Sequence, residues 1–153
     1  METSCEPNKY TQTGTDLVPK DGWQWRCYLD HRGNDVIDDW VKRLSKKARA
    51  NFSRTRDHLR HQAPDEWDRP HASPLGNHIY VIRFKDENST QHRAFGHFRS
   101  KNDAFVLTNS GIEKDNVYEP STYRQSANDA RGACEQTGDD RSRLCFGSSA
   151  KTT

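Results

Sequence analysis

Residues 111–131, GIEKDNVYEPSTYRQSANDAR, carry cationic and phenolic side chains at close spacing. The segment follows three strand-like runs and precedes a helix-like run, so we expect a sheet edge to bring together Lys114, Tyr118, Tyr123 and Arg124. Cations beside a phenol can bind a phosphodiester and stabilise charge that develops on it. The alternative is a solvated charged turn, which is the usual state of such segments.

A second group of cations lies in the helix-like residues 41–62. Eight basic side chains there face only one acidic residue, Asp57, which gives a local charge of +7: Lys42, Arg43, Lys46, Lys47, Arg49, Arg54, Arg56 and Arg60. The net charge of the whole chain is only +2, so no global field indicates a polyanionic partner. A basic helix face can neutralise phosphates, and it makes nucleic-acid binding sensitive to salt. A solvated helix face is the alternative.

Length and composition bound the fold. The 153 residues are 31% hydrophobic and 30% charged, with a mean hydropathy of -1.17, which suffices for one modest core. Both ends of the chain are rich in Ser, Thr, Gly, Asp and Gln, a composition that does not offset the entropy of ordering. We therefore predict one domain over residues 22–135, with a flexible N-terminal tail at 1–21 and a flexible C-terminal tail at 136–153.

The cysteines and the hydropathy pattern set expectations about ligands and location. The spacing of Cys5, Cys27, Cys134 and Cys145 matches neither a zinc site nor a disulfide framework, so we expect reduced thiols and no metal or cofactor. The N-terminus lacks a basic segment followed by an apolar run. No apolar stretch approaches the roughly 20 residues that span a bilayer. We expect a soluble cytoplasmic protein with no membrane partner.

The first half of the domain reads as a strand followed by two helices. Residues 23–29 alternate between apolar and polar side chains, which predicts a half-buried strand. Asn34 fits the N-cap of a helix over residues 36–44, and Ser45 fits the N-cap of a second helix. Pro64 prevents that helix from continuing. Together these two helices form a predicted hairpin.

The second half of the domain reads as a loop and a sheet. Residues 63–77 contain three prolines and a glycine, which predicts an ordered loop with Trp67 as an anchor. Three β-rich runs at residues 78–85, 90–98 and 103–109 are separated by short turns and predict an antiparallel meander.

Alternation along the middle run assigns its side chains to two faces. Small and apolar residues on one face would accept a packed helix, and basic residues would project from the other, open face. The first set is His92, Ala94, Gly96 and Phe98; the second is Arg93, Phe95, His97 and Arg99. A last helix is predicted from Pro120 to Gly138, with a buried stripe of Tyr123, Ala127, Ala130 and Cys134.

The order of these elements and several short motifs resemble the RelE/ParE toxin superfamily, especially its HigB-like, phage-derived branch. The resemblance covers residues 23–134. It is carried by the helix DVIDDWVKRL, by Leu75 followed by IYVIRF with Ile79, Tyr80 and Arg83, by the pair His92 and Arg93, by the apolar run FVLTN, and by the turn and alanine-containing helix that follow.

The resemblance implies an α+β, RelE-like fold made of an N-terminal strand, a helical hairpin, a three-stranded antiparallel meander and a short C-terminal helix. The helices would pack on one face of a twisted sheet and RNA would meet the other. It also implies a toxin of a type II toxin-antitoxin system, a ribosome-dependent mRNA interferase that cleaves by 2'-hydroxyl attack on the adjacent phosphate. Its partners would be mRNA, the ribosome and a small helix-turn-helix antitoxin.

Carried over residue by residue, the resemblance assigns catalytic roles to Arg93, Lys114 and Tyr118. His92 is a further catalytic candidate, because imidazole is a common general acid or base. The expected nucleic-acid contacts are Lys42, Lys46, Lys47, Arg49, Arg54, Arg56, Arg83, His97, Arg99 and Arg124. Each assignment has a structural alternative: Tyr118 and His92 can serve packing, and Arg83 can pair with a helix carboxylate.

One departure from the family pattern leaves the function open. Lys114 stands between Glu113 and Asp115, which weaken the local positive potential. A non-catalytic member is therefore an alternative, either as a gyrase-inhibiting toxin or as a degenerate nucleic-acid- or antitoxin-binding module. A small interaction domain with no nucleic-acid role is a third reading, since a fold alone does not separate these functions.

Overall fold

The structure, a computed structural model, describes residues 18–99, 103–115, 117–119, 121, 123–137 and 142–145. These residues form three α-helices and seven strands. In chain order the elements are β1 (Gln24–Tyr28), α1 (Val36–Arg43), α2 (Lys46–Leu59), β2 (Ala72–Gly76), β3 (Ile79–Lys85), β4 (Gln91–Arg99), β5 (Ala104–Lys114), β6 (Val117–Glu119), α3 (Tyr123–Thr137) and β7 (Ser142–Leu144), with a 3-10 turn at Pro64–Glu66 between α2 and β2.

The seven strands form one mixed sheet in the order β2-β3-β4-β5-β1-β7, and β6 pairs with β5. β3, β4 and β5 are antiparallel neighbours, so the predicted meander is confirmed. β1 runs parallel to β5, from Gln24 beside Ala104 to Cys27 beside Leu107. The predicted α+β class is confirmed, and the sheet has more strands than the sequence indicated.

The two N-terminal helices pack on one face of the sheet. Trp40 of α1 and Phe52 of α2 meet edge to face with ring centroids 5.4 Å apart, and Phe52 stacks on Phe84 of β3 at 4.8 Å. Trp67, 1% exposed, fills the same core between Phe98 and Phe105, with both centroids at 4.7 Å. The predicted anchoring of the loop by Trp67 is confirmed.

The helix N-caps match the sequence at one of two positions. Ser45 accepts a hydrogen bond from the backbone N–H of Ala48 and caps α2 as predicted. α1 is capped by Asp35, which accepts from the N–H of Asp38, so the prediction of Asn34 was wrong. The backbone N–H of Asn34 donates to Asp30 instead, because Asn34 closes the preceding turn.

α3 covers the other face of the sheet, and the prediction that all helices share one face was wrong. Its Ala127 is fully buried against Phe95 of β4, and Tyr123 lies 4.9 Å from the Phe95 ring. Phe95 is on the opposite side of β4 from Ala94 and Phe98, which pack under α1 and α2. The alternation was read correctly, but an apolar Phe95 among basic neighbours creates a second site for helix packing.

Three short strands lie outside the predicted sheet. β2 occupies part of the expected loop, and β6 follows β5, which continues five residues past the expected end at Asn109. β7 lies within the expected tail 136–153 and pairs with β1, where the Arg26 guanidinium donates to the Ser142 hydroxyl and carbonyl. Residues 1–17, Pro120 and Gly138, on which other predictions rest, are outside the described residues. Across the described ranges, no helix combines the length and apolarity needed to cross a membrane.

Candidate active site

The candidate site begins with two arginines side by side on the α3 face of the sheet. Arg83 of β3 and Arg93 of β4 are direct cross-strand partners, and Gly111 of β5 is the next partner of Arg93. Like charges directly opposite each other destabilise a sheet unless a counter-charge is present. Gly111 has no side chain, so the space beside Arg93 is open to a group from farther along β5.

Glu113 supplies that counter-charge. Its Oε1 accepts from Nε of Arg93 at 2.8 Å and lies 2.7 Å from Nη2 of the same guanidinium. Nη2 of Arg83 lies 3.4 Å from the same oxygen. One carboxylate oxygen thus serves both arginines, and Oε2 has no hydrogen-bond partner among the described residues. The pair is close to the low-dielectric interior, where such charge-assisted bonds are stronger than in water.

Arg93 is saturated with protein contacts. Besides Glu113, its Nη1 donates to the carbonyl of His92 at 2.9 Å and its Nη2 donates to Oε1 of Gln91 at 2.7 Å. Burial lowers the pKa of Arg93, and the charge of Arg83 adds to this lowering, while Glu113 opposes it. Arginine stays protonated in proteins, so the group remains a cation. Its side chain is only 2% exposed and holds Glu113 in place.

Arg83 is held more loosely than Arg93. Its Nη1 lies 3.5 Å from the hydroxyl of Tyr118 on β6, and its contact with Glu113 is also long. Tyr118 itself rests edge to face on Phe95 at 5.5 Å and lies 4.6 Å from Tyr123. The structure therefore brings two guanidiniums, a carboxylate and a phenol together. We call these four residues the arginine cluster: Arg83, Arg93, Glu113 and Tyr118.

A groove of about 700 Å³ adjoins the cluster at the edge of the sheet. It lies between α2, the loop before β2, and the ends of β3 and β4. Arg83 and Arg93 line it, so the groove and the arginine cluster are continuous. We call it the edge groove; its lining is Asn51, Arg54, Thr55, Arg69, Pro70, His71, Arg83, Phe84, Lys85, Gln91 and Arg93.

The structure does not bring His92 to the cluster. His92 lies on the opposite face of β4, where it stacks on Phe84 at 5.3 Å, and its Nε2 lies 3.0 Å from Oδ2 of Asp86. That contact lowers the pKa of Asp86, whose carboxylate also accepts from two backbone N–H groups. Lys114 is exposed and follows Glu113 in β5, so strand alternation directs its side chain away from the cluster.

The expected open basic face is wrong for His97 and Arg99. Each is 1% exposed, because α3 and the β7 region cover this end of β4, and Nη1 of Arg99 donates to the Ser142 hydroxyl at 3.2 Å. Burial lowers the pKa of His97 to about 3, and Arg131, Arg99 and His78 add to this lowering. Residues that are this deeply buried do not contact nucleic acid in this conformation.

The basic residues of the helical hairpin fall into two groups. Lys46, Lys47 and Arg54 are exposed on α2, as the sequence predicted, and the Arg54 guanidinium donates to the side-chain oxygen of Asn51. The others are engaged: Lys42 pairs with Asp38 at 2.9 Å, Arg49 donates to the carbonyl of Leu44 at 2.8 Å, and Arg56 lies over the Phe52 ring at 4.7 Å. At the start of α3, Arg124 donates to the carbonyl of Leu75 at 2.7 Å. Its guanidinium therefore joins α3 to the end of β2.

Sequence reasoning missed three residues of this region. Glu113 was treated as a group that weakens Lys114, whereas it organises both arginines. Arg69 and Lys85, which line the edge groove, were not assigned a role. Extending the predicted β5 beyond Asn109 would have identified Glu113. Two-residue alternation from Asn109 through Gly111 places Glu113 on the same face of the sheet as Arg93.

Comparison with known proteins gives one family. The family model described as "Phage derived protein Gp49-like (DUF891)" matches residues 39–133, which is more than half of the chain. The matched segment includes α2, the edge groove and all four residues of the arginine cluster. No curated protein matches the chain.

Proposed function

From the premise that the chain belongs to the Gp49-like family of phage-derived proteins, a RelE-like toxin family, we propose that it is a toxin that cleaves mRNA without a metal. One observation carries the proposal: Arg83, Arg93, Glu113 and Tyr118 meet on one patch of the sheet. These are groups that can accept a proton, donate a proton and stabilise charge on a phosphodiester. A toxin of this kind has a cognate antitoxin as its partner.

The proposed reaction is attack by a ribose 2'-oxygen on the adjacent phosphorus. The bond between the 2'-oxygen and phosphorus forms, and the bond from phosphorus to the 5'-oxygen breaks, which leaves a 2',3'-cyclic phosphate and a 5'-hydroxyl. Oε2 of Glu113 accepts the proton of the 2'-hydroxyl, because Oε1 is already held by Arg93. Tyr118 donates a proton to the leaving 5'-oxygen, and solvent then returns a proton to Tyr118 and accepts the one held by Glu113.

The two arginines take different roles in this proposal. Arg83 has only long contacts with the protein, so its guanidinium can turn to the phosphate and stabilise the phosphorane, an effect of about 3 kcal/mol for a well-placed donor. Arg93 is saturated and therefore positions Glu113. The sequence had suggested Arg93 as the phosphate stabiliser and Arg83 as a nucleic-acid contact, with a structural role for Arg83 as the alternative.

Ribosome dependence is part of the proposal. Lys46 and Lys47 are exposed on α2, and the ribosome offers RNA phosphates against which they can dock. Free mRNA would lack this second contact surface. The purified protein is therefore expected to cut mRNA only in the presence of translating ribosomes.

The test is a cleavage assay with translating ribosomes and two variants of the cluster. Arg83→Gln and Tyr118→Phe are expected to lower the cleavage rate by at least about tenfold, since placed acids and charge stabilisers contribute that much or more. Tyr28→Phe removes a phenol from β1 and Arg32→Gln removes an exposed cation from the turn after β1; both should cut at the wild-type rate. Unchanged cleavage by both cluster variants would reject this site.

A non-cleaving toxin is a second candidate function, and the burial of Arg93 favours it. With 2% exposure and all its nitrogens bonded to protein, Arg93 is unavailable to a phosphate unless Glu113 releases it. A gyrase-directed toxin would accumulate covalent DNA cleavage complexes and leave mRNA intact. A degenerate binding module would bind RNA or the antitoxin and do neither.

A further inference from the structure

The edge groove lies beside β3, at the point where its neighbouring strand β2 ends. β2 pairs with β3 only as far as Ile82, and the next backbone contact on that side is the N–H of Arg83 donating to the carbonyl of His71 at 2.8 Å. Beyond this point Lys85 lies at a free edge, and the Asn51 amide of α2 donates to its carbonyl at 2.7 Å. The last residues of β3 and the exposed side of α2 therefore form the walls of the edge groove.

The charged residues that line the edge groove are all positive. Five of its lining residues are arginine or lysine, and no carboxylate lines it among the residues that the structure describes. Two cations outside the groove do have carboxylate partners, since Lys42 pairs with Asp38 and Arg143 pairs with Asp35. Arg54, Arg69 and Lys85 have no carboxylate within ion-pair distance in the same described ranges. Such clustered cations raise the local concentration of anions.

The loop that carries Arg69 is fixed by the core. Trp67 is 1% exposed among aromatic rings, and the N–H groups of His71 and Ala72 both donate to the carbonyl of Asp68. Arg69 is therefore exposed on a backbone that is tied down on both sides. Because this backbone is already ordered before binding, less free energy is lost in ordering the site when a ligand binds.

We propose that the edge groove binds a phosphate of single-stranded RNA next to the scissile phosphodiester, with Arg54, Arg69 and Lys85 as its ligands. The position relative to the scissile bond rests on the proposed function; the anion site itself does not. The volume of about 700 Å³ is in the range of small-ligand pockets and holds a nucleotide. The side-chain amide of Gln91, whose oxygen accepts from Arg93, offers its nitrogen to a ribose or a base, whereas the Asn51 amide is bonded to Lys85 and Arg54.

RNA fits this groove better than an acidic peptide because the groove is continuous with the arginine cluster. Arg83 and Arg93 belong to both, so a ligand that fills the groove reaches the cluster without crossing uncharged surface. A polynucleotide carries one charge on every residue, so a single strand can place one phosphate at Arg83 and the next among Arg54, Arg69 and Lys85. An acidic segment of an antitoxin is the competing occupant.

The test measures binding to an RNA oligonucleotide that cannot be cleaved. All its riboses carry 2'-O-methyl groups, so the fluorescence anisotropy of a labelled strand reports affinity whether or not the protein is a nuclease. Arg69→Gln and Lys85→Gln are each expected to weaken binding about tenfold, as lost charge-assisted hydrogen bonds do. Each should also reduce the slope of log K against log salt by about 0.7, the value for one phosphate of a single strand.

The matched control is Arg32→Gln, which removes an exposed cation that does not line the groove. It should keep the wild-type affinity and salt slope, and all three variants should keep the wild-type unfolding temperature because the side chains are exposed. Groove variants that lose RNA binding while the wild type cuts no mRNA would support the groove and reject the nuclease. Wild-type affinity in both groove variants would overturn the groove proposal. So would groove variants that lose binding to a poly-glutamate peptide while RNA binding stays intact, or a wild type that does not bind the RNA at low salt.

Discussion

The carboxylate of Glu113 receives the guanidinium of Arg93 on a single oxygen, at 2.8 Å from Nε and 2.7 Å from Nη2. Both side chains are largely buried, at 2% exposure for Arg93 and 13% for Glu113. Removing one partner from such a pair leaves an uncompensated charge, which is more destabilising than the pair is stabilising. The same contact therefore matters for folding as well as for the proposed chemistry.

Glu113→Gln is expected to lower the free energy of unfolding by about 3 kcal/mol, the range found when a buried pair loses one partner. The cross-strand arginines Arg83 and Arg93 would then face each other without a counter-charge. Urea unfolding at neutral pH measures this loss, and the ribosome assay should show no cleavage. Glu119→Gln, an exposed carboxylate on β6, is the control and should unfold like the wild type. Equal stability of the two variants would contradict the prediction.

Gly96 of β4 has no room for a side chain. A Cβ atom there would lie 2.2 Å from the carbonyl oxygen of Val106 and 2.6 Å from the ring of Phe105. Gly96→Ala is therefore expected to lower the free energy of unfolding by about 3 kcal/mol, the upper range for overpacking. Gly132→Ala introduces the same methyl group into α3 with nothing within 4 Å, and it should stabilise by about 0.5 to 1 kcal/mol. Thermal unfolding of the two variants should shift in opposite directions.

Stability should fall in mild acid because of His97. Burial lowers its pKa from 6.5 to about 3, so between these values the unfolded chain binds a proton that the folded protein does not. The free energy of unfolding contributed by this group therefore decreases as pH falls below about 6.5, with a limiting slope of about 1.4 kcal/mol per pH unit. Neither ring nitrogen has a hydrogen-bond partner among the described residues, so His97→Leu loses no such bond.

The check is urea unfolding of the wild type and His97→Leu at pH 7.5, 6 and 5. The variant should lose less stability than the wild type on acidification, and the difference should grow between pH 6 and 5. His31→Gln replaces an exposed histidine and should follow the wild-type curve. Parallel curves for wild type and His97→Leu would show that His97 titrates normally in the folded protein.

Asp35 serves two contacts that can be separated. It caps α1 through Asp38, and its Oδ2 receives Nε of Arg143 from β7 at 2.9 Å. Asp35→Ala removes both contacts and is expected to destabilise by about 1 kcal/mol through loss of the cap. Asp35→Asn keeps a capping side chain and loses only the ion pair with the half-exposed Arg143, so its stability should remain within about 0.5 kcal/mol of the wild type. Chemical denaturation measures the free energy of unfolding of the two variants. Equal losses of stability in Asp35→Ala and Asp35→Asn would assign the effect to the ion pair.

Local patterns in the sequence were sufficient for the helical hairpin and the meander. Ala48, Phe52, Thr55 and Leu59 recur at helical spacing after a capping serine, and all four are buried in α2. The β-rich run at residues 78–85 likewise placed β3 correctly. The pattern that specifies each of these elements lies in residues close together in the sequence, so a single sequence contains the necessary information.

The remaining strands depend on partners that are distant in sequence. β2 carries a proline and a glycine and β7 has only three residues, so neither shows a strand pattern, and each exists because it pairs with an established edge. α3 was placed on the wrong face because Phe95 was counted with its basic neighbours and not as a packing site. Tertiary contacts decided each case, and local propensity did not.

For the candidate site, the sequence indicated one patch of Arg93, Lys114 and Tyr118, but strand alternation directs Lys114 away from it and the organising role of Glu113 was not foreseen. The expected convergence depended on strand order, which was correct. The role of Glu113 depended on where β5 ends and on the register shift between Phe95 and Gly96, where Thr108 of β5 is the extra residue. A bulge of this kind changes the facing of later residues and has no reliable signature in one sequence.

The parallel pairing of β1 with β5 has a consequence for biosynthesis. Gln24 lies beside Ala104, so the first strand emerges from the ribosome about 80 residues before its neighbour does. Until then β1 lacks its neighbour in the sheet, and pairings of such long range form slowly. Glu113 and Tyr118 are translated later still, so the ribosome that makes this protein holds a chain without a complete arginine cluster through most of its synthesis.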